Sequence, residues 1–258
     1  MKFCVIASGS SGNITYVEGK STKLLIDAGI SLPNAQKRIE AHQVDLKEVD
    51  YILITHEHGD HISFLATLAK KIQATIFISR KSFMAISKDT RDKMIGLKVC
   101  FIEGESKYKI GDFEVLTLSL SHDTKEIFGF ILIENGKKLA YLTDTGIFPV
   151  RYYGVLKDID AIIIEANHDV QMLQESDRDI TLKRRILSST GHLSNKTCYE
   201  VLEKLLTDKY KYVILAHISR ECNSIECIKR DIINKVNVIW NGKIVIASQD
   251  ECTELMEI

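Results

Sequence analysis

Tyr51-Ile52-Leu53-Ile54-Thr55, running directly into His56-Glu57-His58-Gly59-Asp60-His61, is the stretch that decides the fold. The first five residues form an apolar, β-rich run of the kind that lies buried inside a sheet. The segment after them, His61–Lys71, carries its apolar residues at helical spacing. The six residues His56–His61 therefore form the loop at the C-terminal end of a buried strand, where the backbone can turn several side chains toward one point. Imidazole and carboxylate are the ligand types that suit zinc, manganese or iron.

Working outward, Phe3–Ala7, Thr15–Glu18 and Lys23–Asp27 read as strands, the first two separated by the turn Ser8-Gly9-Ser10-Ser11-Gly12-Asn13. Pro33 opens a helix that runs to about His42, since proline suits the first helical turn. Ala74–Ser79 returns as a strand. Phe113–Ser119 alternates, and Phe128–Glu134 reaches Asn135-Gly136, a hairpin signal, before Lys138–Thr143. Strands over Ala161–Glu165, Tyr212–Ala216 and Lys243–Ala247 alternate with helices over Ser194–Leu206 and Ser224–Asn234. Two groups of strands, each followed by helices, predict an α/β protein: an αββα sandwich of two mixed sheets with helices on the outer faces, in one domain spanning 1–258.

Composition narrows the function classes. The formal net charge of -1 gives no global pull toward nucleic acid or anionic membrane, so polyanion binding must come from a local basic patch. The N-terminus, MKFCVIASGSSGN, reads as a strand rather than a signal peptide. No apolar run approaches the roughly 20 residues that span a bilayer. The six cysteines (Cys4, Cys100, Cys198, Cys222, Cys227 and Cys252) are scattered without a Cys-x-x-Cys pair, and predict reduced thiols in a cytoplasmic protein. Cys222 and Cys227 lie close together, but no second pair completes four ligands.

The loop at 56–61 resembles the ligand loop of the metallo-β-lactamase superfamily, and the rest of that superfamily's ordered motifs can be matched. Asp27 ends a strand. His122 follows Ser119-Leu120-Ser121. Asp144 sits in Tyr141-Leu142-Thr143-Asp144-Thr145-Gly146, and His217 follows Val213-Ile214-Leu215-Ala216. Carried over, the resemblance implies two divalent ions, zinc or manganese. His56, His58 and His122 would hold one, and Asp60, His61 and His217 the other, with Asp144 shared and Asp27 behind the ligands. Such a cation pair lowers the pKa of a shared water and stabilises charge in the transition state.

Three further segments resemble nucleic-acid-processing members: Ser8–Asn13, Glu165-Ala166-Asn167-His168-Asp169, and Arg185-Ile186-Leu187-Ser188 with Gly191-His192-Leu193-Ser194-Asn195. The last two are most similar to the YycJ/WalJ-type exonucleases. In related ribonuclease Z enzymes a Gly-His-Ser-Thr segment supplies a proton-donating histidine, which makes His192 the candidate general acid here. Those enzymes pair that histidine with a glutamate just ahead of the bridging aspartate. Here Tyr141 stands third before Asp144, so the resemblance does not supply the carboxylate.

His168 is a candidate lining the site, and His42, at a helix end, reads as structural. Lys183-Arg184-Arg185 reads either as a solvated loop cluster or as a phosphate contact through Arg184 and Arg185. Asn13 is a candidate phosphate neighbour through its Gly-Ser turn. The intervals 123–143 and 145–216 leave no room for the long arm of ribonuclease Z or the cap domain of ribonuclease J.

The resemblance therefore implies phosphodiester hydrolysis on nucleic acid, DNA before RNA, from an end. The alternatives are hydrolysis of a small ester (a cyclic phosphodiester, thioester or lactone) and a metal-binding scaffold without turnover. A homodimer would complete a groove that the bare core leaves open.

Overall fold

The computed structural model describes residues 1–258. Period-2 alternation assigns each strand's two faces to different environments. On the strand Ala161–Glu165, Ile162 and Ile164 join one apolar cluster while Ala161 and Ile163 join another. On Tyr212–Ala216, Val213 and Leu215 take the first side, and Ile214 and Ala216 the second. In the other sheet, Cys4 and Ile6 face one cluster while Phe3 and Val5 share the second with Ile163 and Ile214. One cluster is common to both sheets, and each sheet has a further cluster beneath its own helices. This is the αββα order of layers.

The strands are β1 (Lys2–Ala7), β2 (Ile14–Glu18), β3 (Lys23–Ile26), β4 (Tyr51–Leu53), β5 (Thr75–Ser79), β6 (Val99–Ile102), β7 (Lys107–Ile110), β8 (Phe113–Ser119), β9 (Phe128–Glu134), β10 (Lys137–Leu142), β11 (Ala161–Glu165), β12 (Tyr212–Ala216), β13 (Lys243–Ile246) and β14 (Met256–Glu257). They form two seven-stranded sheets, ordered β14-β1-β2-β3-β4-β5-β6 and β13-β12-β11-β10-β9-β8-β7. In each sheet an antiparallel half gives way to a parallel one, at β3–β4 and at β10–β11. Parallel strands send their C-terminal ends to the same edge. The segments after β3, β4, β10, β11 and β12 therefore meet along one rim.

Local choices follow the expected chemistry. Asn135 and Gly136 sit at φ of 50° and 77°, as the tight turn joining β9 to β10 requires. Ser194 caps the helix Asn195–Leu205 through Thr197 N–H.

Three expectations are corrected. The segment predicted as one helix over 61–71 is two, Gly59–Ile62 and Leu65–Ile72. Phe64 N–H leaves the helical path to donate to the Ala28 carbonyl at 3.0 Å, a tertiary bond that interrupts the run. The Ser224–Asn234 helix changes pitch at Lys229–Ile233, where it is a π-helix, and continues to Ile239. Lys183-Arg184-Arg185 lies in a helix, Ile180–Ile186, rather than on a loop, because Asp179 caps it by accepting from Thr181 N–H. No helix is long and apolar enough to cross a membrane.

The inter-sheet layer carries the fold, so Ile163→Ala is expected to destabilise the protein by about 3 kcal/mol. Urea unfolding checks this, and a loss below about 1 kcal/mol would mean that the layer can collapse around the gap.

Candidate metal centre

Asp27, Asp144 and His217 each follow the end of a strand, and all three adopt left-handed backbone, at φ of 64°, 58° and 52°. Such conformations cost of order 1–3 kcal/mol each in a non-glycine residue. They turn the chain sharply off the rim so that the side chains point inward. Asp and His are among the residues that tolerate this geometry best.

Asp27 is fully buried and fully engaged. Its Oδ1 accepts from Thr55 N–H and Thr55 Oγ1, both at 2.9 Å, and its Oδ2 receives His61 Nδ1 at 2.8 Å. Thr55 Oγ1 in turn takes His56 Nδ1 at 3.0 Å. One carboxylate thus fixes two imidazoles, one directly and one through a hydroxyl. In both rings Nε2 is left free to act as a ligand. His122 is held the same way, with Nδ1 on the Gly191 carbonyl at 3.0 Å. Glu57, inside the motif, faces elsewhere and accepts from Lys125 N–H at 2.8 Å, fastening the loop that carries His122.

The donors fall into overlapping groups, with ligand atoms in each lying within 4.8 Å of one another. These groups are His56, His58 and His122; Asp60, His61 and His217; His56, His61 and Asp144; and Asp144, Glu165, His192 and His217. Asp144 Oδ2 lies 3.4 Å from His61 Nε2, and its Oδ1 lies 3.3 Å from His217 Nδ1. Asp60 Oδ2 is 3.4 Å from His61 Nε2 and 3.5 Å from His217 Nε2.

Two buried atoms inside this cluster, His56 Nε2 and Asp144 Oδ2, have no hydrogen-bond partner. A buried polar atom left so costs about 1–3 kcal/mol, and a cation between them removes that cost. Charge points the same way. Burial alone would lower His217, but Asp144, Asp60 and Glu165 outweigh it and push it up to about 10. Burial would likewise lower His61, yet Asp27, Asp144 and Asp60 hold it well above the usual range. Protons there compensate the carboxylates, and binding a cation would release them. His56, by contrast, is kept neutral by burial and by the neighbouring histidines, with its lone pair available. The residues therefore fit divalent metal.

Glu165 is the site residue that sequence reasoning missed. It ends β11 with no exposure, and its Oε1 receives His192 Nδ1 at 2.7 Å and His217 Nδ1 at 3.0 Å. Its Oε2 accepts from Leu193 N–H at 3.0 Å and Thr145 N–H at 3.1 Å. A carboxylate closing an otherwise apolar strand, as Asp27 does, was the available signal. Thr55 was missed as well.

Asn13 is buried, not at the surface. Its Nδ2 reaches Asp60 Oδ2 at 3.3 Å and His61 Nε2 at 3.1 Å, so it braces the ligand loop. Gly29 is required beside it, because a Cβ there would overlap the Asp60 carbonyl. His168 is buried with neither ring nitrogen partnered, and burial pushes it down to about 4.

Arg184 is exposed, and Arg185 pairs with Asp123 beside His122. Arg185 lines a cavity of about 110 Å³ together with Arg178, Asn167, His192 and His217. Cys222 packs with Leu173 and Ile186, and Cys227 donates to Met172 Sδ, so neither thiol joins a ligand group.

Because Asp27 aims ligands from two donor groups, Asp27→Asn is expected to weaken metal retention about 10–100-fold. Chelator competition measures this; unchanged retention would reduce Asp27 to a packing role.

A family model described as a β-lactamase superfamily domain matches residues 22–218. Exodeoxyribonuclease YycJ of Bacillus anthracis is 36% identical over 90% of this chain and 88% of its own length. Exodeoxyribonuclease WalJ of Streptococcus pneumoniae is 34% identical over 100% of this chain and 98% of its own. The crystal structure of the metallo-β-lactamase fold protein YhfI from Bacillus subtilis superposes with a TM-score of 0.71 at 15% identity, over 98% of both chains, a likeness of fold alone. The chain belongs to the metallo-β-lactamase superfamily, alongside the YycJ- and WalJ-type proteins, and is a metal-dependent hydrolase.

Proposed function

We propose that the chain is a phosphodiester hydrolase that removes nucleotides from DNA ends, working as one domain over 1–258 with two divalent ions, zinc or manganese. His56, His58 and His122 would hold one ion, and Asp60, His61 and His217 the other, with Asp144 shared. Bound there, the ions would supply an activated water and neutralise charge on a phosphate. The observation that carries the reading is the His192–Glu165 contact at 2.7 Å beside Asp144. It sits within a chain that aligns almost end to end with two exodeoxyribonucleases.

The protein's own groups divide the remaining work. Glu165 is fixed by two backbone N–H groups, so it holds His192 with Nδ1–H donating. Nε2 is then the nitrogen left for substrate, and in the doubly protonated ring it would give its proton to the departing oxygen. Asp60 stays ionised, because His61 and His217 outweigh the effect of its burial. Arg178 and Arg185, on the cavity beside His192, provide positive charge for a phosphate despite the molecule's net charge of -1. Asn13, buried under the ligand loop, supports that loop in this reading, and His168 is buried beside Ser194.

A second reading, hydrolysis of a small ester, has one observation in its favour. Arg178 and Arg185 already pair with Glu221 and Asp123, which reduces the charge on offer to a long polyanion.

Three experiments divide these readings. The metal-loaded protein is expected to shorten end-labelled DNA stepwise, and cleavage of bis-p-nitrophenyl phosphate alone would move the substrate into the small-ester class. His192→Ala is expected to lower kcat by about 10²–10⁴-fold with metal content unchanged, whereas Asp144→Ala loses metal and turnover together. Full activity in either variant removes its assigned role. Reversing charge at Arg184 and Arg185 is expected to raise KM for DNA and flatten its salt dependence; an unchanged salt slope takes both out of the substrate path.

A further inference from the structure

Cys4, His42 and Cys252 come together although they are remote in sequence. Their ligand atoms lie within 4.8 Å of one another, in a group that shares no residue with the strand-end centre. Cys4 projects from the middle of β1 and is fully buried. His42 closes the short 3₁₀ turn Glu40–His42 after the first helix. Cys252 lies in the tail between β13 and β14, and both His42 and Cys252 are partly exposed, which gives an ion a way in. His42 Nε2 meets the Thr253 carbonyl at 2.8 Å. When Nε2 donates there, Nδ1 keeps the lone pair. A ring nitrogen tied to a backbone carbonyl is the usual support for a metal-ligating histidine.

We propose that Cys4, His42 and Cys252 form a second metal site, for zinc or a similarly thiophilic ion, distinct from the strand-end centre. Two thiolates and one imidazole are a zinc donor set with one position open to water. Zinc bonds of about 2.3 Å to sulfur and about 2.0 Å to nitrogen place tetrahedral donors roughly 3.5–3.8 Å apart, so small side-chain rotations close the site. The exchange balances simply: one Zn²⁺ enters and the two thiol protons leave to solvent, with no change of oxidation state.

The site joins three segments remote in sequence: β1, the turn after the first helix and the tail before β14. The tail is pinned to β1 by Thr253 N–H on the Val5 carbonyl at 2.9 Å and by Val5 N–H on Thr253 Oγ1 at 3.0 Å. Just upstream, Gln249 reaches the Ser8–Asn13 loop, accepting from Ser11 N–H and donating to the Gly12 carbonyl, both at 2.9 Å. Arg38, on the first helix, donates to the Gln249 carbonyl at 2.6 Å. An ion at Cys252 therefore staples the tail that backs the loop whose Asn13 braces Asp60. No Cys-x-x-Cys spacing announces this site, because its thiols come from opposite ends of the chain.

The test is cobalt titration of the reduced, metal-stripped full-length protein. The strand-end donors are all nitrogen and oxygen, so a near-ultraviolet thiolate-to-cobalt charge-transfer band reports only on cysteine. The wild type is expected to show that band, saturating at one cobalt per chain, together with the visible bands of the other centre. Cys252→Ser should lose the charge-transfer band and keep the visible bands, while a Cys222→Ser, Cys227→Ser double variant should keep both. No charge-transfer band in the wild type, or a band that survives Cys252→Ser, overturns the proposal. If Cys252→Ser does not fold, His42→Gln, which retains both thiols, is expected to weaken the cobalt affinity behind the band at least tenfold. Unaltered affinity there would overturn the three-residue site.

Discussion

The site depends on one buried carboxylate. Asp27 has no exposure, and three hydrogen bonds from Thr55 and His61 take the place of solvation. Burying a charge without partners would be prohibitive, so the position is stable only with the ligand loop folded against it. The dependence is mutual. Without Asp27, His61 and the Thr55–His56 pair lose the contact that selects their tautomers. Because His56 and His61 also share a donor group with Asp144, the same carboxylate sets the spacing between them.

The second sheet answers with an arrangement of the same kind. Glu165 ends β11 as Asp27 follows β3, and it too holds two imidazoles, His192 and His217. Asp144 lies between the sheets' contributions, near His61 from one and His217 from the other. Parallel strand ends bring these groups to one rim, and left-handed backbone at Asp27, Asp144 and His217 turns them inward. The backbone cost of that geometry is offset by the buried hydrogen bonds it makes possible. Strain at the rim and satisfaction of the buried polar groups are one design.

Much of this was legible because the informative signals are local. The run Tyr51–His61 carries its strand, its turn and its donors within one short window, and β10, β11 and β12 announce themselves as apolar runs. What sequence could not show depends on distant pairing. Glu165 becomes a site residue only once β11 lies beside β10 and β12 and brings it to His192. β6 and β7 were not predicted, since each lies on the open edge of its sheet and has little apolar alternation. The helix break at Ser63–Phe64 answers to Ala28, which no helical period contains. Asn13 was read as a phosphate neighbour because small residues around it would let an amide approach, and its contact with Asp60 depends on a residue far along the chain.

In the proposed centre two donor groups would meet at Asp144, each completed by its own ion. Anomalous diffraction from manganese-loaded crystals tests it most directly, because manganese favours the nitrogen and oxygen donors of this centre over thiolates. Two peaks are expected, one among His56, His58 and His122 and one among Asp60, His61 and His217, with Asp144 touching both. A single peak, or a pair that leaves Asp144 without a metal neighbour, would contradict it.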